Sequence, residues 1–570
     1  MNEKKTLSAA EAIKAASRGL RGSLAQELAA PAPAFGEEAA QLLKVHGSYQ
    51  QYDRDTATGL KRLGLGKDHS FMVRLKMPGG RLTARQYLAL DELAGRYGDG
   101  TLRITTRQDF QFYGVLKGEL KAFIAEINRF SLTTFGACGD VERNVVTSPA
   151  PIADAAHRHM LDVAHRFSSH FLPRTRAYAE IWLDGEPMLP EEDEREPLYG
   201  ASYLPRKFKI GLTIPEDNSI DVLTNDLAIL VHFENDTLKG YTFCLGGGLG
   251  MTHNKPHTYP RLATPIAFVE PDRLLPVAEA VVALQRDHGD RANRKHARLK
   301  YLVAEKGTAW IKDELERRLG HALAPAGGLS RLQVPDHLGW HEQGDGRFWY
   351  GIPVSSGRIA DNGTVRLRQA LRELIARFSA DPILTADQNI LLSNLAPQAQ
   401  EEIERILHAH GVPLAHEIGP LERWALACPA LPSCGLALAE GERVKERLVA
   451  ALQAQLDALG LGREPISVRL TGCPNGCARP YNAEIGIVGR MPGHYTVFVG
   501  GDFAGTHLGF ALLDKVALDD VAGALGPLFE RFAAEREAGE SFGAFCRRHD
   551  REALRALAAA FTARERKEAI

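Results

Sequence analysis

Four of the seven cysteines fall in two short stretches near the C-terminal end, A-C-P-A-L-P-S-C-G and T-G-C-P-N-G-C-A-R. Five residues separate Cys428 from Cys434 and three separate Cys473 from Cys477, among Pro and Gly residues that let a chain curl around a bound group. Thiolate is a soft ligand, and four thiolates complete either a tetrahedral zinc shell or the corners of a cubic [4Fe-4S] cluster. The five-residue gap is longer than the usual zinc knuckle and points toward the bulkier iron–sulfur group. Spacing alone leaves zinc open, and buried free thiols are the bland alternative. Cys138, Cys244 and Cys546 stand outside the set and read as buried or incidental thiols.

A second chemistry is cationic. Taken as one continuous strand, T-L-R-I-T-T-R-Q-D-F-Q-F-Y puts Arg103, Thr105, Arg107, Asp109, Gln111 and Tyr113 on one face. Further on, Y-L-P-R-K-F-K-I places Lys207 and Lys209 on the same side of an extended segment, where they repel unless an anion joins them. From that pair alone a solvated edge strand is the simpler reading. R-A-N-R-K-H-A-R-L-K sets Arg291, Arg294 or Lys295, and Arg298 at helical spacing. Neither G-G-G-L-G at 246–250 nor G-L-G-K-D at 64–68 is a nucleotide loop: the first lacks the last glycine of a dinucleotide fingerprint, the second a Ser/Thr after its lysine.

These residues must be positioned by a large body. At 570 residues the chain has room for three or four domains, and 44% hydrophobic with 25% charged residues is ordinary for a globular enzyme. A net charge of −2 argues against general attraction to nucleic acid or an anionic membrane. The polar start M-N-E-K-K-T-L-S has no apolar leader segment, and seven cysteines in this length form no secreted disulfide framework, so a cytoplasmic location is expected.

The order strand, glycine turn, helix, strand occurs twice. F-M-V-R-L-K-M-P-G-G-R-L leads to T-L-R-I-T-T-R-Q-D-F, and F-W-Y-G-I-P-V-S-S-G-R-I leads to D-P-I-L-T-A-D-Q-N-I. A separation of roughly 280 residues is too long for a solenoid repeat and implies two related halves. The fold expected is α+β and pseudo-twofold, with internally duplicated mixed α/β lobes and cofactors between them. Its divisions are an N-terminal wrapping arm (1–69), a first half-repeat (70–137), a first lobe carrying the cations (138–335), a second half-repeat (336–420) and a second lobe carrying the cysteines (421–570). T-F-C-L-G-G-G near Cys244 is echoed faintly by T-V-F-V-G-G-D near Val499.

C-P-A-L-P-S-C-G-L-A-L-A-E, T-G-C-P-N-G-C-A-R and T-T-R-Q-D-F-Q resemble motifs of the sirohaem-containing sulfite and nitrite reductases, and the likeness runs from about Tyr49 to Phe545. The resemblance implies ferredoxin-like half-repeats and a [4Fe-4S] cluster on Cys428, Cys434, Cys473 and Cys477, with Cys477 bridging to the sirohaem iron. It implies sirohaem contacts from Arg103, Thr105, Arg107, Gln111, Tyr113, Arg298 and Asn475. Over the free haem face it implies a substrate site of Arg74, Arg143, Lys207 and Lys209. A macrocycle with eight carboxylates needs several forked cationic donors, and an anion that takes up electrons and protons together needs clustered cations and proton donors. The activity implied is the six-electron reduction of sulfite to sulfide in assimilatory sulfur metabolism, with electrons from an NADPH-dependent flavoprotein, or from ferredoxin as second choice. Sirohaem nitrite reductase is the near alternative, and a zinc-stapled binding protein the far one.

Overall fold

A computed structural model describes residues 6–178, 182–183, 186–187 and 196–568. The first five residues of the polar N-terminus lie outside that description, and no helix of the described residues is long and apolar enough to cross a membrane.

The duplicated pattern folds into two matching units. In the first, strand His69–Arg74 leads through the turn Pro78–Gly80 to helix Ala84–Tyr97, strands Leu102–Ile104 and Phe110–Val115, and helix Leu120–Arg129. The second repeats this as Phe348–Ile352, Ser355–Gly357, Leu367–Phe378, Asp381–Leu384, Ile390–Leu395 and Gln400–Ala409. Helix Ala84–Tyr97 begins at a reciprocal cap: Gln86 N–H donates to Thr83 Oγ1, and Thr83 N–H donates to the Gln86 side chain. Its buried residues Tyr87, Leu90, Leu93, Ala94 and Tyr97 recur at helical spacing and form one apolar stripe.

The two units trade strands. Past Gly80, Arg81 bridges to Ile383 of the second unit, and past Gly357, Arg358 pairs with Arg103 of the first. Both glycines have left-handed backbones, with φ +69° and +73°. A Cβ on Gly80 would lie 2.5 Å from the Leu384 carbonyl oxygen, and one on Gly357 would lie 2.3 Å from that of Ile104. One apolar core, with Phe71, Leu90 and Phe112 from the first unit and Tyr350, Leu371 and Leu392 from the second, seals the pair.

Each unit is followed by a lobe with its own core and the same five-stranded topology. In the first, Val146–Thr147, Ile210–Thr213 and Leu227–Glu234 are parallel, and Thr237–Leu245 and Thr264–Val269 add antiparallel strands. The second repeats this with Ala425–Ala427, Val468–Thr471 and Ile485–Met491, then His494–Val499 and Phe510–Ala517. The faint echo near Cys244 and Val499 is the fourth strand of each sheet.

Three local expectations are corrected. The arginine-bearing stretch is a hairpin: Thr105–Asp109 form a turn in which Thr105 N–H donates to the Asp109 carbonyl and Gln108 has φ +53°. Thr105 Oγ1 donates to Asp109 Oδ1 at 2.6 Å, so local side-chain bonding wins over strand propagation. Lys207 and Lys209 lead into an inner strand, Ile210–Thr213, which has neighbours on both sides and is no edge. Residues 291–298 form turns rather than a helix, because Asp290 and Asn293 side chains accept backbone N–H groups there and each arginine takes a different carboxylate. In addition, Ser48–Tyr52 forms the outer strand of the first sheet, antiparallel to His69–Arg74, so the stretch read as an arm ends inside that sheet.

Replacing Gly80 with Ala forces a left-handed alanine against Leu384 and is expected to cost about 2 kcal/mol or more. Denaturant unfolding checks this, and an unchanged midpoint would contradict the strand exchange.

Candidate active site and cofactor cradle

The cysteine set is built on the carboxyl ends of two adjacent parallel strands. Ala425–Ala427 delivers Cys428, and Val468–Thr471 delivers Gly472 and Cys473. Gly472 N–H donates to Cys428 Sγ at 3.3 Å. Burial first, and then Cys477, raises the thiols of Cys428 and Cys434, and the same two causes push Cys473 up to about 12. Opposing this, Leu436 and Ala437 N–H groups bond Cys434, and the backbone and side chain of Asn475 bond Cys473. Four mutually repelling thiolates ringed by N–H donors suit a cationic iron–sulfur core, whose binding requires and stabilises the ionised form.

The cations come from the first half of the chain. Arg143 leaves the segment before strand Val146–Thr147, where its N–H donates to the Phe208 carbonyl. Phe208 is fully buried, so alternation turns Lys207 and Lys209 the other way. Burial lowers the Lys207 ammonium well below its ordinary pKa, and Lys209, Arg206, Arg298 and Arg143 lower it further. Lys209 is lowered by burial, then Arg107 and Arg298, against the opposing pull of Asp226 and of Cys477 from the second lobe. The two lobes therefore bring the lysines and the last cysteine to one place.

Arg107 sits in the hairpin turn and donates to Asn225 Oδ1 at 2.6 Å and to the Ile210 carbonyl at 3.1 Å. Its Nε is buried without a protein partner, and burial lowers its pKa to about 10. Arg298 holds Asp226 with two 2.8 Å bonds. Arg74 approaches Asp109 at 3.5 Å, and Gln111, bonded to Tyr113, lies beside it. Arg103 is placed otherwise than its expected haem contact. Only 1% exposed, it pairs with Glu442 and donates to the Ala427 carbonyl at 2.9 Å, which braces the strand carrying Cys428. Thr105 serves the hairpin turn, and Tyr113 bonds Gln111 while lying under Arg358 at 5.1 Å.

Several neighbours gave no usable motif. Tyr49 hydrogen-bonds Cys138 beside Arg74 and Arg143, so Cys138 is part of the site's wall rather than incidental. Asp226 accepts the Lys209 N–H as well as Arg298, and Asn144 ties Met77 to the Arg107 carbonyl. Lys300, held by the Gly248 and Gly250 carbonyls, is lowered to about 7 by burial and Arg298. The glycine run itself lets two lobes touch: Met251 N–H donates to the Pro474 carbonyl, and a Cβ on Gly250 would sit 3.2 Å from the Asn475 oxygen.

Residues 65–130 and 341–410 match the nitrite/sulfite reductase ferredoxin-like half domain, and residues 164–323 match the nitrite and sulphite reductase 4Fe-4S domain. The latter stretch holds none of the four gathered cysteines, as expected where one lobe topology occurs twice. A sulfite reductase [NADPH] hemoprotein beta-component of Myxococcus xanthus is 45% identical over 95% of this chain and 97% of its own. A sulfite reductase [ferredoxin] of Synechococcus elongatus is 44% identical over 96% and 90%. The NirA protein of Mycobacterium tuberculosis has the same fold, with a TM-score of 0.79 at 23% identity over 97% and 98% of the two chains. The chain belongs to the nitrite and sulfite reductase family, whose cofactors are a sirohaem and a [4Fe-4S] cluster.

An unfolded lysine titrates near 10.5, and in the cofactor-free protein Lys207 and Lys209 titrate well below that. Between the two values the unfolded chain binds more protons, so stability rises with pH across that window. Lys207→Met and Lys209→Met apoproteins should therefore melt above wild type at neutral pH, with a gain that shrinks as pH approaches 10.5. Thermal melts across pH check this; variants that melt at or below wild type at neutral pH would contradict it.

Proposed function

We propose that this chain is the haemoprotein component of an assimilatory sulfite reductase, which reduces sulfite to hydrogen sulfide for cysteine biosynthesis. The observation that carries the reading is the meeting of Lys209, Arg107 and Arg298 with Cys477 across the lobes. Cys428, Cys434, Cys473 and Cys477 would hold the cluster, and Cys477 would also serve the haem. When bound, the two cofactors supply electrons to the substrate sulfur one at a time.

The chain's own residues do the rest. Arg74, Arg143, Lys207 and Lys209 bind the anion and offset its charge, and Asp226 and Asp109 hold Arg298 and Arg74 without neutralising the whole set. Lys207, lowered by burial and then by Lys209, and Lys209, lowered by burial and then by Arg107, give up a proton more readily than an ordinary lysine, and oxygen atoms of the substrate leave as water. Arg107, whose buried Nε has no protein partner, would offer a donor to a cofactor carboxylate, Arg298 would add positive charge beside it while its fork holds Asp226, and Asn475 supports Cys473. The electron donor is a separate flavoprotein using NADPH, as the Myxococcus relative's name supports; ferredoxin, named for the Synechococcus relative, is the second choice. A reducing cytoplasm suits seven free cysteines. Nitrite takes second place as substrate.

Lys207→Met should lower sulfite turnover by about 100-fold or more while leaving iron content and visible spectrum intact. Cys477→Ser should abolish sulfite turnover and alter the haem spectrum. Steady-state assays with a chemical reductant and methyl viologen test both; unchanged rates would remove these residues from the site, and faster nitrite than sulfite turnover would overturn the substrate.

A further inference from the structure

The strand registers of the two lobes give a residue-by-residue correspondence. Val146 lies beside Gly211 in the first sheet as Leu426 lies beside Arg469 in the second. Each following strand runs into a loop, then a 3-10 turn, Val222–Thr224 or Pro480–Asn482, then the next parallel strand. Aligned in this way, Ser148, Asp154, Pro215 and Ser219 stand where the second lobe has Cys428, Cys434, Cys473 and Cys477. The first lobe fills that place with hydrogen bonds: Ser148 Oγ donates to Asp217, which His337 Nε2 meets at 3.0 Å.

The same correspondence pairs Asp221 with Arg479. Both are left-handed, at φ 49°, ψ 58° and φ 58°, ψ 48°, and each immediately precedes its 3-10 turn. These equivalent residues meet across the pseudo-twofold axis, with Arg479 Nε 3.1 Å from Asp221 Oδ2. Arg469 Nη1 reaches the same oxygen at 2.6 Å, and Arg479 Nη2 donates to Asp387 Oδ1 at 2.8 Å and to the Ala386 carbonyl at 2.9 Å. Asp387 is the second-unit counterpart of Arg107, in the matching hairpin turn.

Arg479 stands two residues beyond Cys477. Its N–H donates to the Gly476 carbonyl and its own carbonyl accepts from Arg469, so its backbone closes the Cys473–Cys477 loop. On the other side Thr106 Oγ1 donates to the Cys477 carbonyl at 2.9 Å. The cysteine's main chain is thus held between the first half-repeat and a residue anchored in the first lobe and the second half-repeat. The side chains of Asp221 and Arg479 are only 1% and 7% exposed, so losing one partner leaves the other as a buried charge.

We propose that the Asp221–Arg479 ion pair is the positioning element that sets where Cys477 presents its sulfur, and so controls coupling between cluster and haem. The proposal rests on Cys477 being the bridging thiolate. Asp221 reaches the cysteine through Arg479, and neither belongs to the cation set assigned to the substrate.

The test uses purified holoenzyme of wild type, Asp221→Asn and Arg479→Lys, with iron analysis, Mössbauer spectra and steady-state sulfite kinetics. Expected are near wild-type iron content, weakened magnetic coupling between haem and cluster iron, and kcat lower by about tenfold with KM little changed. Wild-type coupling and kcat in both variants would overturn the proposal, and so would earlier melting with unchanged coupling, which marks a merely structural pair. Should Asp221→Asn not fold, Arg479→Lys decides alone; failure of both to fold overturns positioning in favour of a folding role. Uncoupled iron in the wild-type holoenzyme would refute the Cys477 assignment instead.

Discussion

Like charges held close together are the constraint on which this structure depends. Arg143, Lys207, Lys209, Arg107 and Arg298 crowd one region with few carboxylates, and burial raises the cost of every charge. No single lobe offers a reason to assemble them. The reason lies in an anionic substrate and a polycarboxylate macrocycle that need such a surface, and in the thiols across the interface, which become thiolates when they hold the cluster. Each side is unfavourable alone and favourable when both cofactors are in place.

The duplicated architecture makes the confrontation possible. Strand exchange past Gly80 and Gly357, over one shared core, fixes the two small units relative to each other. The hairpin turns, Thr105–Asp109 and Thr385–Asn389, then point at the two lobes with different chemistry: Arg107 toward the cofactor side and Asp387 toward Arg479. Divergence of the copies has left one lobe with thiols and its counterpart positions with Ser148 and Ser219. The asymmetry that does chemistry sits on a symmetric frame.

Much of this could be read from the chain. The repeated strand–glycine–helix–strand order was sufficient for the two-half body, and the resemblance of the two cysteine motifs supplied the cofactor class that spacing alone left open between zinc and iron–sulfur, because both are written in local residue patterns. Arg103 shows what local pattern cannot give. Period-2 alternation set it on one strand face and the resemblance set it among the haem contacts, yet its fork is taken by Glu442 and Ala427, partners more than three hundred residues away. The hairpin at Thr105–Asp109 escapes that pattern for another reason: Thr105 and Asp109, which read as strand residues, bond each other across the turn, and the Thr105 hydroxyl also accepts the Arg107 N–H. The Tyr49–Gln51 segment resembles a family stretch near the cofactor but reads equally well as a polar turn, and Cys138 and the pair of Asp221 with Arg479 have no sequence signal, since each depends on how distant segments meet.

The most direct test of the central claim is the visible absorption spectrum of the purified protein, with iron and zinc measured on the same sample. The account predicts haem-type bands and about five irons per chain, four in the cluster and one in the macrocycle. A colourless protein carrying zinc and no iron would contradict it, and would mean that the four cysteines staple the second lobe rather than feed electrons to a bound anion.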